Sequence, residues 1–352
     1  MPRVEAERIV VRAPNWVGDV VMATPAFRAV REAYPGAHLA VALRPYVQPI
    51  LTGAPWFDEV IAQEDRGLGH FAAMVRRLRQ GHYHVAVLLP NSLRTALEVF
   101  AARVPRRLGY DRRHRWLLLT DPIAPPRDER GKFQPTNMVD YYLGLCRHLG
   151  CQNLSRHEEL FVTDEAVERA EALLQRHGVE PEARLAGLNP GAAFGSSKLW
   201  PAERFAAVGD GLAQRGYRVA IFGSPAERPI AQRVAEAMDH QPIVFEPGAL
   251  DLDVLKPLIR GCSLLVTNDT GARHVAVAFG VPVVCIMGPT SPRYTDVNLE
   301  RQKVVRVDVG CGPCQEKVCR EDHRCMTRIT PEMVLEAADD LLAGHEQGHL
   351  PP

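Results

Sequence analysis

Long uncharged apolar runs are absent from this chain of 352 residues, which removes a membrane-spanning helix from consideration. Its first residues, MPRVEAERIVV, lack the apolar core and small-residue cleavage site of a secretory signal. A cytoplasmic location is therefore expected, with the eight cysteines mostly reduced. The glycine fingerprint of a dinucleotide fold is also missing. The first strand-to-helix turn, Ala13–Asp19, holds Gly18 alone, which argues against a nicotinamide dehydrogenase. No Walker loop occurs, because no glycine-rich turn ends in Gly-Lys-Ser/Thr. Aromatic residues are few among the basic ones and no nucleic-acid module is recognisable, so DNA and RNA are excluded as partners. Internal repeats and low-complexity tracts are lacking too.

What is present is an arginine-rich, lysine-poor chain whose zero net charge conceals an asymmetry. Residues 1–160 carry 22 Lys+Arg against 16 Asp+Glu, and the remainder 20 against 26. Much of the excess lies in Arg103, Arg106, Arg107, Arg112, Arg113 and Arg115, opposed only by Asp111. Such a cluster suits a phosphorylated acceptor or an anionic lipid surface. It equally suits a solvated arginine-rich loop.

Strand and helix signals alternate twice along the chain, as in α/β proteins with parallel sheets. Strands are expected at Arg8–Arg12, His38–Leu43, Val60–Ile61, Ala86–Leu89 and Leu117–Leu119. Helices are expected at Asp19–Tyr34, Leu68–Gln80 and Arg94–Ala102. Asp121–Pro135 reads as a Pro-rich surface loop. After a helix at Met138–Leu149 and a connection at Gln152–Asp164, the same grammar restarts with strands near Leu185–Leu188, Val219–Phe222, Ile243–Val244, Leu264–Thr267, Val283–Ile286 and Val304–Val307. The expected organisation is one Rossmann-like domain over residues 1–160 and a second over 161–330. Residues 331–352 form a closing helix and tail, expected to pack back on the first half. Two doubly wound halves facing across a cleft would take ligands at the carboxyl ends of their strands.

The most informative stretch is Val266–Pro292. A strand leads to Asn268-Asp269-Thr270-Gly271, and a helix then runs until Gly280 and Pro282 stop it. Backbone N–H groups at such a helix start, together with the helix dipole, suit a pyrophosphate. His274 lies one turn into the helix, on the side that can reach the same place. The turn Asn189–Pro201 adds small residues and Lys198, a mobile cation; Lys198 with Thr270-Gly271 is the candidate diphosphate grip. Asp19, at the end of the first strand, is either a helix cap or an acid that accepts a proton from a substrate hydroxyl. Glu227 is either an exposed helix-start acid or a holder of ribose hydroxyls. Asp251 and Asp253 spell a two-carboxylate metal pattern but sit at a helix start, where capping is the expected role. Cys311, Cys314, Cys319 and Cys325, with His323 among them, either hold a structural zinc or stay free thiols. Cys146, Cys151, Cys262 and Cys285 read as buried apolar fillers.

Taken in order, these segments resemble glycosyltransferase family nine, the heptosyltransferases of lipopolysaccharide inner-core assembly. The residues carrying the resemblance are Asn15-Trp16-Val17-Gly18-Asp19, Asn91–Leu97 with Arg107-Leu108-Gly109-Tyr110, and Pro190–Gly195 with Lys198 and Trp200-Pro201. Asn268–Gly271 with His274, Gly288-Pro289-Thr290 and the cysteine segment ending Cys325-Met326 complete the set. The resemblance implies a GT-B fold, with an acceptor-binding first domain and a nucleotide-sugar-binding second one. It implies inverting heptosyl transfer from ADP-heptose to a heptose on Kdo2-lipid A, by a peripheral enzyme at the inner face of the cytoplasmic membrane. No cofactor is required by it. In that likeness Asp19 is the general base, and Lys198 is the cation on the diphosphate. Asp269, Thr270, Gly271 and His274 form the donor-binding turn, with Glu227 at the ribose and Leu250 near the adenine. Arg94, Arg106, Arg107, Arg112 and Arg113 make the candidate acceptor or membrane patch. Two departures stand out: Ser196-Ser197 replaces Pro-Ala before the lysine, and Ala272-Arg273 replaces an apolar pair, Arg273 adding a cation near the leaving group. A sibling heptosyltransferase, another nucleotide-sugar transferase, or an idle nucleotide-sugar binder are the alternatives.

Overall fold

The computed structural model describes residues 5–64 and 66–346. Two compact units divide the chain. The first runs to Phe161 and takes back Arg293–Val297; the second comprises Val162–Pro292 and the chain from Asn298 onward. That short return was not legible in the sequence. It is anchored within the first unit by Asn137, whose Nδ2 donates to Asp296 Oδ1 at 3.1 Å.

The first sheet consists of β1 (Arg8–Arg12), β2 (His38–Leu43), β3 (Glu59–Ala62), β4 (Val85–Leu88), β5 (Arg106–Tyr110) and β6 (Asp121–Ile123). They lie in the order β3-β2-β1-β4-β5-β6, all parallel. The second sheet is built from β7 (Leu185–Asn189), β8 (Arg218–Ile221), β9 (Ile243–Val244), β10 (Leu264–Asn268), β11 (Val283–Ile286) and β12 (Gln302–Val305). Its order is β12-β11-β10-β7-β8-β9, the same doubly wound topology once the numbering restarts at β7. Each sheet therefore reverses its winding at one place, between β1 and β4 in the first and between β7 and β10 in the second. Ligands of open α/β sheets bind outside the carboxyl ends of strands at such a point.

Helices of the first unit are α1 (Val17–Met22), α2 (Thr24–Ala33), α3 (Gly67–Gln80), α4 (Leu93–Ala101) and α5 (Met138–Leu149). Those of the second are α6 (Asp164–Arg176), α7 (Ala202–Gln214), α8 (Arg228–Ala237), α9 (Leu252–Arg260), α10 (Gly271–Ala278), α11 (Arg324–Thr327) and α12 (Pro331–Glu346). Both central strands of each sheet are buried along nearly their whole length, which accounts for their continuous apolar runs.

Three expectations are corrected. The helix expected at Asp19–Tyr34 is two helices parted at Ala23, because Pro25, in the first turn of the second, has no N–H to continue the first. The segment Leu117–Leu119 is not a strand; Arg115–Leu118 is a 3₁₀ turn, and the strands lie on either side of it at β5 and β6. The closing helix α12, expected to pack back on the first half, turns apolar residues into the second unit. Val334, Ala338 and Leu341 enter the core of the second unit with Phe205 and Leu212 of α7, and Asp339 pairs with Arg215 at 2.9 Å. A helix that follows β12 covers its own sheet over the shortest connection. The tail from residue 347 lies outside the described residues.

Gly187, in the middle of β7, marks how tightly the second sheet is covered. A Cβ there would stand 2.6 Å from Phe222 Cε2 and 2.9 Å from Leu265 Cδ1. Gly187→Ala is expected to destabilise the protein by about 1–3 kcal/mol, read as a lower urea midpoint. An unchanged midpoint would contradict this packing.

Candidate active site

In the first unit, β1 ends in Ala13-Pro14-Asn15-Trp16 and α1 begins. Trp16 is the N-cap and supplies no side-chain cap. Asp19 therefore stands in the first turn rather than at the cap, half-buried, at the point where the first sheet reverses. The buried hydroxyl of Tyr142 on α5 donates to its carboxylate; burial first and then Asp19 raise the tyrosine far above its usual range. Tyr142 carried no sequence signal, since α5 is apolar on several sides.

At β4's end, Asn91 accepts from Tyr141 Oη at 3.1 Å and from Arg115 at 3.4 Å. Arg115 is wholly buried, and also donates to the carbonyls of Tyr110 at 2.7 Å and Pro90 at 2.6 Å. The family-like residues Asn91 and Tyr110 are thus tied into one frame by an arginine taken from the supposed surface cluster.

The other arginines of that cluster correct the sequence picture further. Arg106 pairs with Asp121 on β6 at 2.7 Å. Arg107 donates to the carbonyls of Leu118 at 2.7 Å and Val104 at 2.6 Å. Arg94 is shared between Glu98 at 3.1 Å and the Gly67 carbonyl at 3.0 Å. These three serve as cross-ties between β5, β6, α3 and α4, not as an open patch. The reason is register: β5 is a strand, so its arginines lie beside strand neighbours instead of in a loop. Arg112 stacks on Phe133 with its guanidinium 4.0 Å from the ring centre, while Arg113 is exposed.

In the second unit the reversal between β7 and β10 gathers Lys198, Asp269, Thr270, Gly271 and His274. Asn189, ending β7, donates to Thr267 Oγ1 at 3.1 Å and Thr270 Oγ1 at 3.0 Å. Asn268, ending β10, donates to the Pro190 carbonyl at 2.7 Å. Polar residues closing buried strands are the signal that would have found both. With Thr270's hydroxyl bonded to Asn189 and Thr267 at the strand ends, α10 begins with no side-chain cap, the kind of helix start that suits an anion. Gly271 opens that helix, and His274 is buried in its first turn.

Asp269 is buried between two cations. Lys198 Nζ reaches its Oδ2 at 2.7 Å and its carbonyl at 2.8 Å, and Arg273 reaches Oδ1 at 3.0 Å. Thr290 donates to Oδ2 at 2.7 Å. Burial alone would raise this carboxyl, but Lys198 and Arg273 hold it well below the usual carboxylate range. Lys198 has three N–H donors and two are engaged, leaving one for a ligand. One anion set against two cations leaves the trio with a single positive charge beside an uncapped helix start. Arg273 itself is buried, with Nε on Gln302 Oε1 at 2.9 Å; its charge is used inside the protein.

Glu227 forms a capping box with Ser224, accepting from that residue's N at 2.9 Å and Oγ at 2.7 Å. Its other face lies against Gly191, where a Cβ would come within 2.3 Å of Oε1. Leu250 is half-buried in the turn before α9. Asp251 is that helix's cap, accepting from Asp253 N at 3.0 Å and Val254 N at 2.8 Å, and it pairs with Arg169 at 2.6 Å. Asp251 thus has the capping role expected of it, whereas Asp253 pairs with buried Lys256 at 3.2 Å.

Cys311, Cys314, Cys319 and Cys325, with His323, line a cavity of about 160 Å³. Among the described residues no three His, Cys, Asp or Glu side chains are grouped so as to hold a metal ion. What the segment does hold is the Lys198 loop. Ser197 N donates to the Lys317 carbonyl at 3.0 Å, its hydroxyl donates to the Glu316 carbonyl, and a His323 ring nitrogen meets the Ser197 carbonyl at 2.7 Å. Gly195 permits this approach, since a Cβ there would lie 2.2 Å from the Lys317 oxygen. The remaining cysteines are buried as expected, and burial pushes the Cys262 and Cys285 thiols up to about 12.

Two doubly wound sheets of one topology, the second with a cationic, uncapped helix start at its reversal, are the GT-B-like architecture of nucleotide-sugar transferases. A family model for glycosyltransferase family 9 (heptosyltransferase) matches residues 71–325, and the chain belongs to that family. Lipooligosaccharide heptosyltransferase 2 of Haemophilus influenzae is 30% identical over 354 residues, covering 95% of this chain and 99% of that protein. Lipopolysaccharide heptosyltransferase 2 of Salmonella typhimurium is 31% identical, with 96% and 99% covered. Among solved structures, a family 9 glycosyl transferase from Veillonella parvula superposes with a TM-score of 0.83 at 26% identity, covering 96% of this chain and 97% of that one. The E. coli ADP-heptose lps heptosyltransferase II gives 0.80 at 28% identity, covering 96% and 99%.

Asp269→Asn would leave two buried cations without their anion, and a loss of about 3–5 kcal/mol is expected. Because the native carboxyl is held below its unfolded value, that stability is present above the ordinary carboxylate range and is lost only as pH falls through the folded value. The gap between parent and variant in urea melts should therefore stay flat from about pH 5 to 8 and close in stronger acid. A gap that varied across neutral pH would contradict the pairing.

Proposed function

We propose that this transferase moves L-glycero-D-manno-heptose, with inversion, from ADP-heptose to the heptose already carried by Kdo2-lipid A. Relatives sharing 30–31% identity over almost the whole chain bear the name heptosyltransferase 2, which supports the donor and acceptor. The observation that carries the chemistry is the Lys198–Asp269–Arg273 trio beside the start of α10.

In this reading, Lys198 and the first N–H groups of α10 bind the diphosphate. Negative charge grows there as the bond from the anomeric carbon to the diphosphate oxygen breaks. Preformed donors at the point of charge development are worth several kcal/mol. Asp19 accepts the proton of the acceptor hydroxyl as that oxygen attacks the anomeric carbon, and Tyr142 fixes the carboxylate. Asp269 acts through Lys198, holding the ammonium in place. Glu227 holds the ribose hydroxyls, Leu250 borders the adenine, and His274 completes the donor turn. Lys198 and the helix dipole neutralise the leaving diphosphate in this scheme, so it calls for no divalent ion. The lipid-borne acceptor places the work at the inner face of the cytoplasmic membrane.

Mass spectrometry of products from ADP-heptose and a one-heptose Kdo2-lipid A acceptor tests the whole reading; transfer from a different nucleotide sugar in preference would replace it. Asp19→Ala should lower kcat by about 10²-fold or more with donor affinity retained, and near-normal turnover would remove the base. Lys198→Ala should weaken ADP binding by about tenfold or more, in line with a lost charge-assisted bond. Unchanged calorimetric affinity would exclude that role.

A further inference from the structure

Large apolar side chains of the first unit are left exposed on one face. On α4, Leu93, Leu97 and Phe100 are 51%, 40% and 46% exposed, and their spacing sets them along one side of the helix. The 3₁₀ turn Arg115–Leu118 packs against α4 and adds Trp116 and Leu117, 51% and 67% exposed. Arg107 joins the two elements, its guanidinium 5.5 Å from the Phe100 ring centre while Nε holds the Leu118 carbonyl. Contiguous exposed apolar surface of this kind marks an interaction site.

Its charge says what it meets. Of the eleven arginines in residues 66–120, Arg115 is buried and Arg77, Arg94 and Arg106 are paired with Glu59, Glu98 and Asp121, while the stretch itself holds two acids, Glu98 and Asp111. Glu98 is buried between Arg12 and Arg94, so it contributes little negative field outward. Arg103, just after α4, and Arg113, just before the 3₁₀ turn, are both exposed and stand in no ion pair among the described residues.

We propose that this face docks the enzyme on an anionic bilayer. The leucines, Phe100 and Trp116 enter the boundary between headgroups and acyl chains, while the flanking arginines meet lipid phosphates, which a guanidinium binds in forked geometry. α4 follows β4, so the face starts at the carboxyl end of the first sheet, the end at which Asp19 stands. The face rests on its own exposure and charge; only its purpose, delivery of the enzyme to a lipid-linked acceptor, rests on the transferase reading.

The test is co-sedimentation of the full chain, without substrates, with phosphatidylcholine vesicles and with the same vesicles containing phosphatidylglycerol. Binding to the anionic vesicles alone, weakened by salt, is expected. Each charge near the surface is worth about fivefold in partitioning, so Arg103→Glu with Arg113→Glu should reduce binding by about tenfold or more. Leu97→Ser with Trp116→Ser should do the same, urea midpoint and ADP affinity remaining those of the parent. In the unmodified protein, brominated lipid should quench Trp116 emission, and Trp116→Phe should remove that quenching. Equal binding to neutral vesicles, no binding to either, or parental binding by the folded variants would overturn the proposal. So would a dimer in sedimentation that the same substitutions dissolve, since a second copy would then be the occupant. Vesicle binding is read without turnover, so its failure leaves the transferase reading standing, and the converse holds.

Discussion

A single buried carboxylate organises the second unit's reactive end. Asp269 sits where β10 gives way to α10, and its charge is tolerable only because Lys198, Arg273 and Thr290 surround it. In return it fixes Lys198, a residue with many rotamers, at the mouth of an uncapped helix. Freezing such a side chain before a ligand arrives removes an entropic cost that binding would otherwise carry. The two asparagines closing β7 and β10 do the same for the backbone by lacing the turns of both strands together.

Much of this was legible in the sequence where one local signal decided the outcome. Apolar runs gave the central strands, and Gly280 and Pro282 gave the end of α10. Lys198 and Thr270-Gly271 belong to two separate turns in the sequence, and the structure brings those turns together, Lys198 reaching Asp269 at 2.7 Å, because a parallel sheet sets the carboxyl ends of its strands along one edge. The arginine segment was misread because its charge suggested a loop. In β5 the side chains of Arg106 and Arg107 bond strand β6 and its approach instead, and no periodicity in a five-residue strand reports that. Arg273 was read as a cation for the leaving group; its pairing with Asp269 four positions back is one that helical spacing offers, whereas its partner Gln302 lies 29 positions away on β12, a contact that only the folded sheet defines.

The repeated topology explains why the candidates fall where they do. Each unit reverses its winding once, and each reversal carries one kind of chemistry: a carboxylate steadied by Tyr142 in the first, a steadied ammonium in the second. Relatives about 30% identical cover almost the whole chain, so departures from the family pattern matter at particular residues. Ser197 is one of these. Its hydroxyl and backbone are bonded to the segment 316–323, which makes the serine a seam between two loops rather than a loss from the motif.

That seam joins parts of the chain far apart in synthesis. His323 lies 126 positions after Ser197, and Glu316 lies 119 after it. A ribosome would have to deliver nearly all of the second unit before the lysine's turn could close into its final shape. The lysine's turn is thus a late feature to mature as the chain emerges, and a product truncated before residue 316 would carry every residue of the Lys198–Asp269–Arg273 trio without the clasp that shapes the lysine's loop.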